Sequence, residues 1–232
     1  GGVGMSGLAF VCLELGIRVS GSDAVDSEAL ERLRVRGSDV HIGHDGAHVG
    51  RPDIVVFSSA VPASNPELAA ARDAGIPAVR RGEFLAYLCE LYPCVVAVAG
   101  SHGKTTTTAM LAHILRDCGR RPGFVVGGDI PGWPASAGAG DGSILVTEVD
   151  ESDGTQALVG STVGIVTNVE DDHCWSLGGV EQLEACFREF AARAESLVTW
   201  DAAGTRRLFA DHSSVRAVAA ADLAGVSLPQ PG

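Results

Sequence analysis

Lysine is almost absent from this sequence. Of 17 basic side chains 16 are arginine, and Lys104 is the only lysine. Basic residues are outnumbered by 29 acidic ones, for a net charge of −12 and an isoelectric point near 4.9. A broad cationic face for nucleic acid is therefore excluded, because phosphate backbones need clustered Lys and Arg. Local phosphate binding stays open, through backbone N–H groups and one placed cation. Long apolar runs are also missing: none approaches the ~18 residues of a membrane-spanning helix, so no membrane partner is expected. No signal peptide is visible, although the chain opens on Gly, inside a motif. The six cysteines are widely spaced and none forms a C-x-x-C pair. That pattern argues against a disulfide framework or a zinc site and for reduced, cytoplasmic thiols, most of them small core residues. Nothing in the sequence addresses oligomeric state.

What is present is enough for a core. The chain has 232 residues, 46% of them hydrophobic, room for one large or two medium domains. Short Val- and Ile-rich strands are predicted at 17–22, 53–59, 94–99, 124–127, 144–149 and 164–168. Helical stretches separate them at 6–15, 26–37, 65–75, 103–119 and 179–195, several marked by an Asp or Asn cap and a closing Gly. Alternation of this kind implies parallel sheets with helices on both faces. Leu91-Tyr92-Pro93 interrupts the pattern before a fresh strand. The expected class is thus α/β: a Rossmann-like parallel-sheet domain over 1–91, then a P-loop α/β domain over 92–232. The Gly-, Pro- and Ala-rich segment 130–142 reads as a loop, and the last 30 residues as a weakening Ala-rich stretch.

The strongest local signal lies at 95–108. A buried strand, Val95 to Ala99, runs into Gly100-Ser101-His102-Gly103-Lys104-Thr105-Thr106, and a helix follows. Such loops cradle phosphates with inward-pointing N–H groups. The Lys reaches the β- and γ-phosphates, and the first hydroxyl after it serves Mg²⁺. The sole lysine stands at that position, which weighs against a solvated surface turn. One feature departs from G-x-x-x-x-G-K-[ST]: Val98 stands where the first Gly belongs.

Two acidic clusters follow later strands. One is Glu148, Asp150, Glu151 and Asp153; the other is Glu170, Asp171, Asp172 and His173. Carboxyl ends of parallel strands form one ligand crevice, so both clusters should share an edge with the phosphate loop. A carboxylate there can ligate Mg²⁺ and a neutral imidazole a second ion. Asp150, Glu151, Asp153 and Asp172 read more simply as solvated loop groups. Near the start, Gly2-Val3-Gly4-Met5-Ser6-Gly7 matches G-x-G-x-x-G, and Asp23 stands at the end of the next strand. This fits a dinucleotide or equally a nucleotide diphosphate, with the strand before the glycines missing. His41, His44 and His48 read as surface groups around a strand end, with His44 able to touch ligand.

The blocks Gly1–Gly7, Ser20–Asp23, Ile42–Asp45, Ser58–Ala60, Asn65–Glu67, Gly100–Thr106, Asp150–Asp153 and Thr167–His173 occur in one order. Together they resemble the Mur ligases of peptidoglycan synthesis, over about residues 1 to 200. The Gly-Met-Ser-Gly turn and the Asp-Glu-Ser-Asp block are similar to those of the alanine-adding branch. The resemblance implies a UDP-binding domain, a central ATPase domain, here incomplete, and a third, amino-acid-binding domain that this sequence lacks. It implies ATP-dependent ligation of L-alanine to UDP-N-acetylmuramate through an acyl phosphate.

By that resemblance Lys104, Glu148 and His173 are catalytic, and Gly100, Ser101, His102, Gly103, Lys104, Thr105 and Thr106 hold ATP. Thr105, Glu148 and His173 hold Mg²⁺. Gly4, Ser6, Asp23, His44, Ser59, Ala60 and Asn168 meet the UDP-muramyl substrate. Ser101 stands where Thr is usual, Cys174-Trp175-Ser176 follow His173 where Met-Asp is usual, and 129–142 lacks an expected Asn pattern. A ligase that recycles murein peptides and a non-catalytic UDP-muramyl-binding module remain as alternatives.

Overall fold

Two kinds of parallel sheet organise the chain, and they differ in size and in the depth of their cores. The computed structural model describes residues 2–133, 135–150, 155–170 and 179–223. The predicted Glu151, Asp153, Asp172 and His173, with Asp171 and Cys174–Ser176, lie outside the described residues.

The first region runs α1 (Val3–Glu14), β1 (Ser20–Asp23), α2 (Glu28–Val35), β2 (Asp39–Ile42), a 3-10 turn (Gly46–His48), β3 (Val55–Phe57), α3 (Pro66–Asp73), β4 (Ala78–Arg80) and α4 (Arg81–Cys89). Its strands form two separate parallel pairs, β1 with β2 and β3 with β4. Local chemistry sets the helix starts. Ser27 Oγ accepts from the Leu30 N–H at 3.3 Å before α2, and Asn65 Oδ1 accepts from the Glu67 N–H at 2.8 Å before α3, with Pro66 in its first turn. Helix α1 begins at Val3, not Ser6, so the glycine-rich motif supplies its first turn instead of a loop before it. The Met5 and Ser6 N–H groups already donate to the Gly2 carbonyl.

The second region carries β5 (Cys94–Ala99), α5 (Lys104–Asp117), β6 (Gly123–Val125), β7 (Ala137–Gly138), β8 (Ile144–Glu148), a 3-10 turn (Thr155–Ala157), β9 (Ser161–Val166), α6 (Val180–Ala192), β10 (Ala194–Trp200), α7 (Ala203–Leu208) and β11 (Val215–Val218). The strands form one seven-stranded sheet in the order β11-β10-β9-β5-β8-β6-β7. Every pairing is parallel except β6 with β7. The expected weakening of the last 30 residues starts too early: 203–208 is helical and 215–218 is the edge strand. The predicted helix 179–195 also ran too long, since the chain leaves α6 at Arg193 and enters β10 at once.

The core lies against this larger sheet. Val98, Ala97 and Ala99 of β5 are buried, as are Leu145 and Val146 of β8 and Leu183, Phe187 and Phe190 of α6. Each fully buried Phe removes enough apolar area to stabilise the fold by roughly 1.5–3 kcal/mol. Helices α1 and α4 join the same cluster through Leu8, Val11, Cys12, Leu85, Leu88 and Cys89. The first region's separate cluster is small: Phe10, Leu30 and Leu33. No helix among the described residues is long and apolar enough to cross a membrane.

Candidate functional site

The carboxyl ends of β8, β5 and β9, three adjacent parallel strands, deliver the predicted groups to one edge. Strand β5 ends at Ala99, and Gly100 turns the chain with φ of 143°. A Cβ there would overlap the Thr167 hydroxyl, so both the conformation and the close approach require glycine. Gly103 follows with φ of 80°, in the left-handed region, and α5 starts at Lys104. Val98 explains the departure from the general loop pattern. It is buried in the central strand, paired with Glu148 on one side and Ile165 on the other, so the turn belongs to Gly100.

The loop is clamped from the side of β9. The ladder continues past the strand ends, with the Thr167 N–H donating to Ala99 O at 3.0 Å and the Ser101 N–H to Asn168 O at 3.2 Å. Asn168 then grips His102 twice: its Oδ1 accepts from the His102 N–H at 2.8 Å, and its Nδ2 donates to the His102 carbonyl at 3.2 Å. Thr167 Oγ1 donates to that same carbonyl at 2.6 Å. Ser101 Oγ lies 2.9 Å from both the Glu170 carbonyl and the Glu170 N–H, donating to one and accepting from the other. Asn168 was expected at the substrate; both ends of its amide hold the loop backbone.

Helix α5 has no side-chain cap on its first turn. Its first bonded N–H is that of Thr107, which donates to Gly103 O at 2.9 Å. The N–H groups ahead of it belong to the first turn of α5, where the positive end of the helix dipole meets the loop. Lys104 arches back over the loop, its Nζ donating to the Gly100 carbonyl at 2.7 Å. These are the elements of an anion cradle: a helix N-terminus, two glycines and one ammonium.

Glu148, last residue of β8, stands beside this cradle. Its carboxylate presses on the backbone of Gly127, where any Cβ would collide with it. The next residue, Gly128, packs toward the Thr105 methyl. Glu148 Oε2 is buried and has no hydrogen-bond partner among the described residues. A buried carboxylate oxygen without a donor calls for a compensating charge, and oxygen donors from Glu and Thr suit a hard divalent cation. Among the described residues no group of three or more His, Cys, Asp or Glu side chains is arranged to hold a metal by itself. His173, the third expected ligand, lies outside the described residues.

The expected UDP-contacting residues sit in the first region. Gly4 lies in the first turn of α1 against the Arg81 side chain, a cation that sequence reasoning missed. Ser6 is buried, and its hydroxyl turns back to Gly2 O and Val3 O at 3.2 and 3.1 Å. Asp23 ends β1 and accepts from the Val25 N–H at 3.1 Å. Ser59 and Ala60 are exposed in the turn after β3. His44 follows β2 and meets Ser22 and Glu67, two further residues that sequence reasoning did not place there.

Residues 1–93 match the Mur ligase family, catalytic domain, and residues 98–219 the Mur ligase middle domain. The UDP-N-acetylmuramate–L-alanine ligase of Geotalea daltonii is 46% identical over 190 residues, covering 82% of this chain and 41% of that relative. The structure of UDP-N-acetylmuramate–alanine ligase from Thermotoga maritima superposes with a TM-score of 0.83 at 28% identity, covering 94% of this chain and 51% of that one. A UDP-N-acetylmuramate:L-alanyl-gamma-D-glutamyl-meso-diaminopimelate ligase from Neisseria meningitides gives 0.84 at 26% identity, covering 94% and 75%. The chain thus spans about two fifths of the length of the curated relative. With both family matches falling in order on the two regions, the chain belongs to the Mur ligase family.

Proposed function

We propose that this chain carries the UDP-muramyl and ATP sites of an ATP-dependent ligase joining L-alanine to the lactyl carboxylate of UDP-N-acetylmuramate, in cytoplasmic peptidoglycan synthesis. The observation that carries the reading is the single edge on which the Gly100–Thr106 cradle, Lys104 and Glu148 meet. Residues 1–91 form the UDP-binding domain, and 92–232 belong to the P-loop ATPase domain. The five described cysteines are free thiols, in keeping with a reducing compartment.

In this reading the muramyl carboxylate attacks the γ-phosphorus of ATP and ADP leaves. The amine of L-alanine then attacks the acyl phosphate, loses a proton and expels inorganic phosphate. The loop N–H groups and the α5 terminus bind the phosphates, and Lys104 stabilises charge on the transferred phosphoryl oxygens. Thr105 and Glu148, with His173, would hold Mg²⁺, which would supply neutralising charge for the phosphoryl oxygens. Asn168, Thr167 and Ser101 keep the cradle in shape. Gly4, Asp23, His44, Ser59 and Ala60 contact the UDP part.

Assays on the complete protein with UDP-N-acetylmuramate, ATP and a panel of amino acids and peptides test this through ADP release. Turnover with L-alanine is expected. Turnover with D-glutamate alone contradicts it. The likeness to the Neisseria ligase favours a second reading, in which a tripeptide replaces alanine; turnover with the tripeptide and none with L-alanine selects it.

A further inference from the structure

A polar cluster in the first region surrounds His44. Ser22 Oγ donates to Glu67 Oε2 at 2.6 Å. His44 Nδ1 lies 3.0 Å from Ser22 Oγ and 3.2 Å from the same carboxylate oxygen. The other oxygen, Oε1, lies 3.5 Å from His48 Nδ1, and the His48 ring stacks on His41 at 4.1 Å. Glu67 is largely covered, its side chain 17% exposed, while His44 is 30% exposed. Three elements converge here: the end of β1, the loop after β2, and the first turn of α3. Gly46 makes this possible by lying against Ala70 and the Pro66 carbonyl.

The donor count assigns the His44 tautomer. A carboxylate only accepts, and Ser22 has one proton, which goes to Glu67 in the shorter, charge-assisted bond. Nδ1 of His44 faces two oxygens, so it must carry a hydrogen. Neutral His44 then presents an unprotonated Nε2, an acceptor, to whatever lies beyond.

We propose that Glu67 is a positioning residue for substrate recognition: with Ser22 it holds His44 as the Nδ1–H tautomer, so that Nε2 accepts a hydrogen bond from the nucleoside part of the ligand, either a ribose hydroxyl or the uracil N3–H. This rests on the reading of His44 as a contact of the UDP part.

The test measures UDP binding by this chain and the ¹⁵N–¹H correlations of its histidine rings at pH 8. Wild type is expected to show His44 as Nδ1–H. Glu67→Ala should move His44 toward Nε2–H and weaken UDP binding about tenfold, the low end for loss of a residue that orients a ligating imidazole. Glu67→Gln, which keeps an acceptor, should restore most of both. The 2′-deoxy and 3-methyluracil analogues of UDP identify the donor: one should bind wild type about tenfold more weakly, at a cost of a hydrogen bond, and His44→Ala should abolish that discrimination. An Nε2–H His44 in wild type overturns the proposal, also where Glu67→Ala fails to fold. So does UDP binding unchanged in Glu67→Ala but weakened in His44→Ala, which leaves the UDP reading standing. Unchanged binding in His44→Ala removes the underlying reading and the proposal with it.

Discussion

The two regions solve the same problem, placing polar groups at strand ends, with different means. In the second region the strands are buried: Val98, Val146 and Val166 show almost no exposed surface, and residues of α1, α4 and α6 join the sheet's core. In the first region β1 and β4 are mostly exposed, and three residues make the local cluster. The phosphate cradle therefore hangs from a packed core by backbone ladders. The His44 site hangs from a carboxylate, a hydroxyl and a helix cap. A group held by apolar burial fails when the core fails, whereas a group held by hydrogen bonds fails one bond at a time.

Mutations ranked by size break or sharpen this contrast. Phe187→Ala removes a fully buried ring from the main core and should destabilise the chain by ~3–5 kcal/mol. Urea unfolding measures it, and nucleotide binding should vanish with the fold. Leu33→Ala, in the small cluster, should cost nearer ~2 kcal/mol, because a three-residue cluster near the surface collapses more readily into the cavity. Hydrogen exchange should then show β1 and β2 opening while β5 and β8 stay protected; equal loss in both regions would dissolve the contrast.

Asn168→Ala comes next. Removing both amide bonds to His102 should cost about 1–2 kcal/mol. It should weaken ATP binding and leave UDP binding unchanged, since both amide bonds of Asn168 go to His102 in the loop. Weaker UDP binding with intact ATP binding would return Asn168 to the substrate side.

The smallest effect is on pH. Burial pushes the Cys12 thiol up to about 11 and the Cys89 thiol up to about 12, from an ordinary 9.0. Both sit where α1 and α4 meet the core of the larger sheet. Unfolded thiols ionise first as pH rises, so stability is complete well below pH 9, begins to fall as pH nears 9 and keeps falling toward 11 to 12. Between pH 8 and pH 9 the two together should cost about 0.5–1 kcal/mol in urea unfolding, a slope that Cys12→Ala with Cys89→Ala should remove.

Legibility followed the range of the interactions. The β5-loop-α5 unit was readable because Val-rich strand, glycines and helix start are contiguous. Helix α3 was readable from Asn65, Pro66 and Gly75 for the same reason. Strand β4 escaped because Ala78–Arg80 passes into α4 with no intervening turn. Strand β10 escaped because Ala194 and Glu195 are good helix formers that continue α6, and only pairing with β9 and β11 makes them strand. Strand β7 is two residues inside a Gly-rich stretch, stabilised by pairing with β6. At the site, Lys104 and Thr105 stood out by their place in the loop pattern, and Glu148 by its place at a strand end and by the family resemblance. The Asn168 grip on His102 and the Glu67 hold on His44 did not, because each joins residues far apart in sequence through sheet register or helix docking.

The central claim is that Gly100–Thr106 with Lys104 binds the phosphates of ATP on a framework independent of that one side chain. Equilibrium binding of ATP with Mg²⁺ to wild type and to Lys104→Ala tests it directly, with urea unfolding as the control. Losing a charge-assisted contact worth ~2 kcal/mol predicts affinity lower by about 30-fold or more at unchanged stability. Equal ATP affinity in the two proteins would contradict the account.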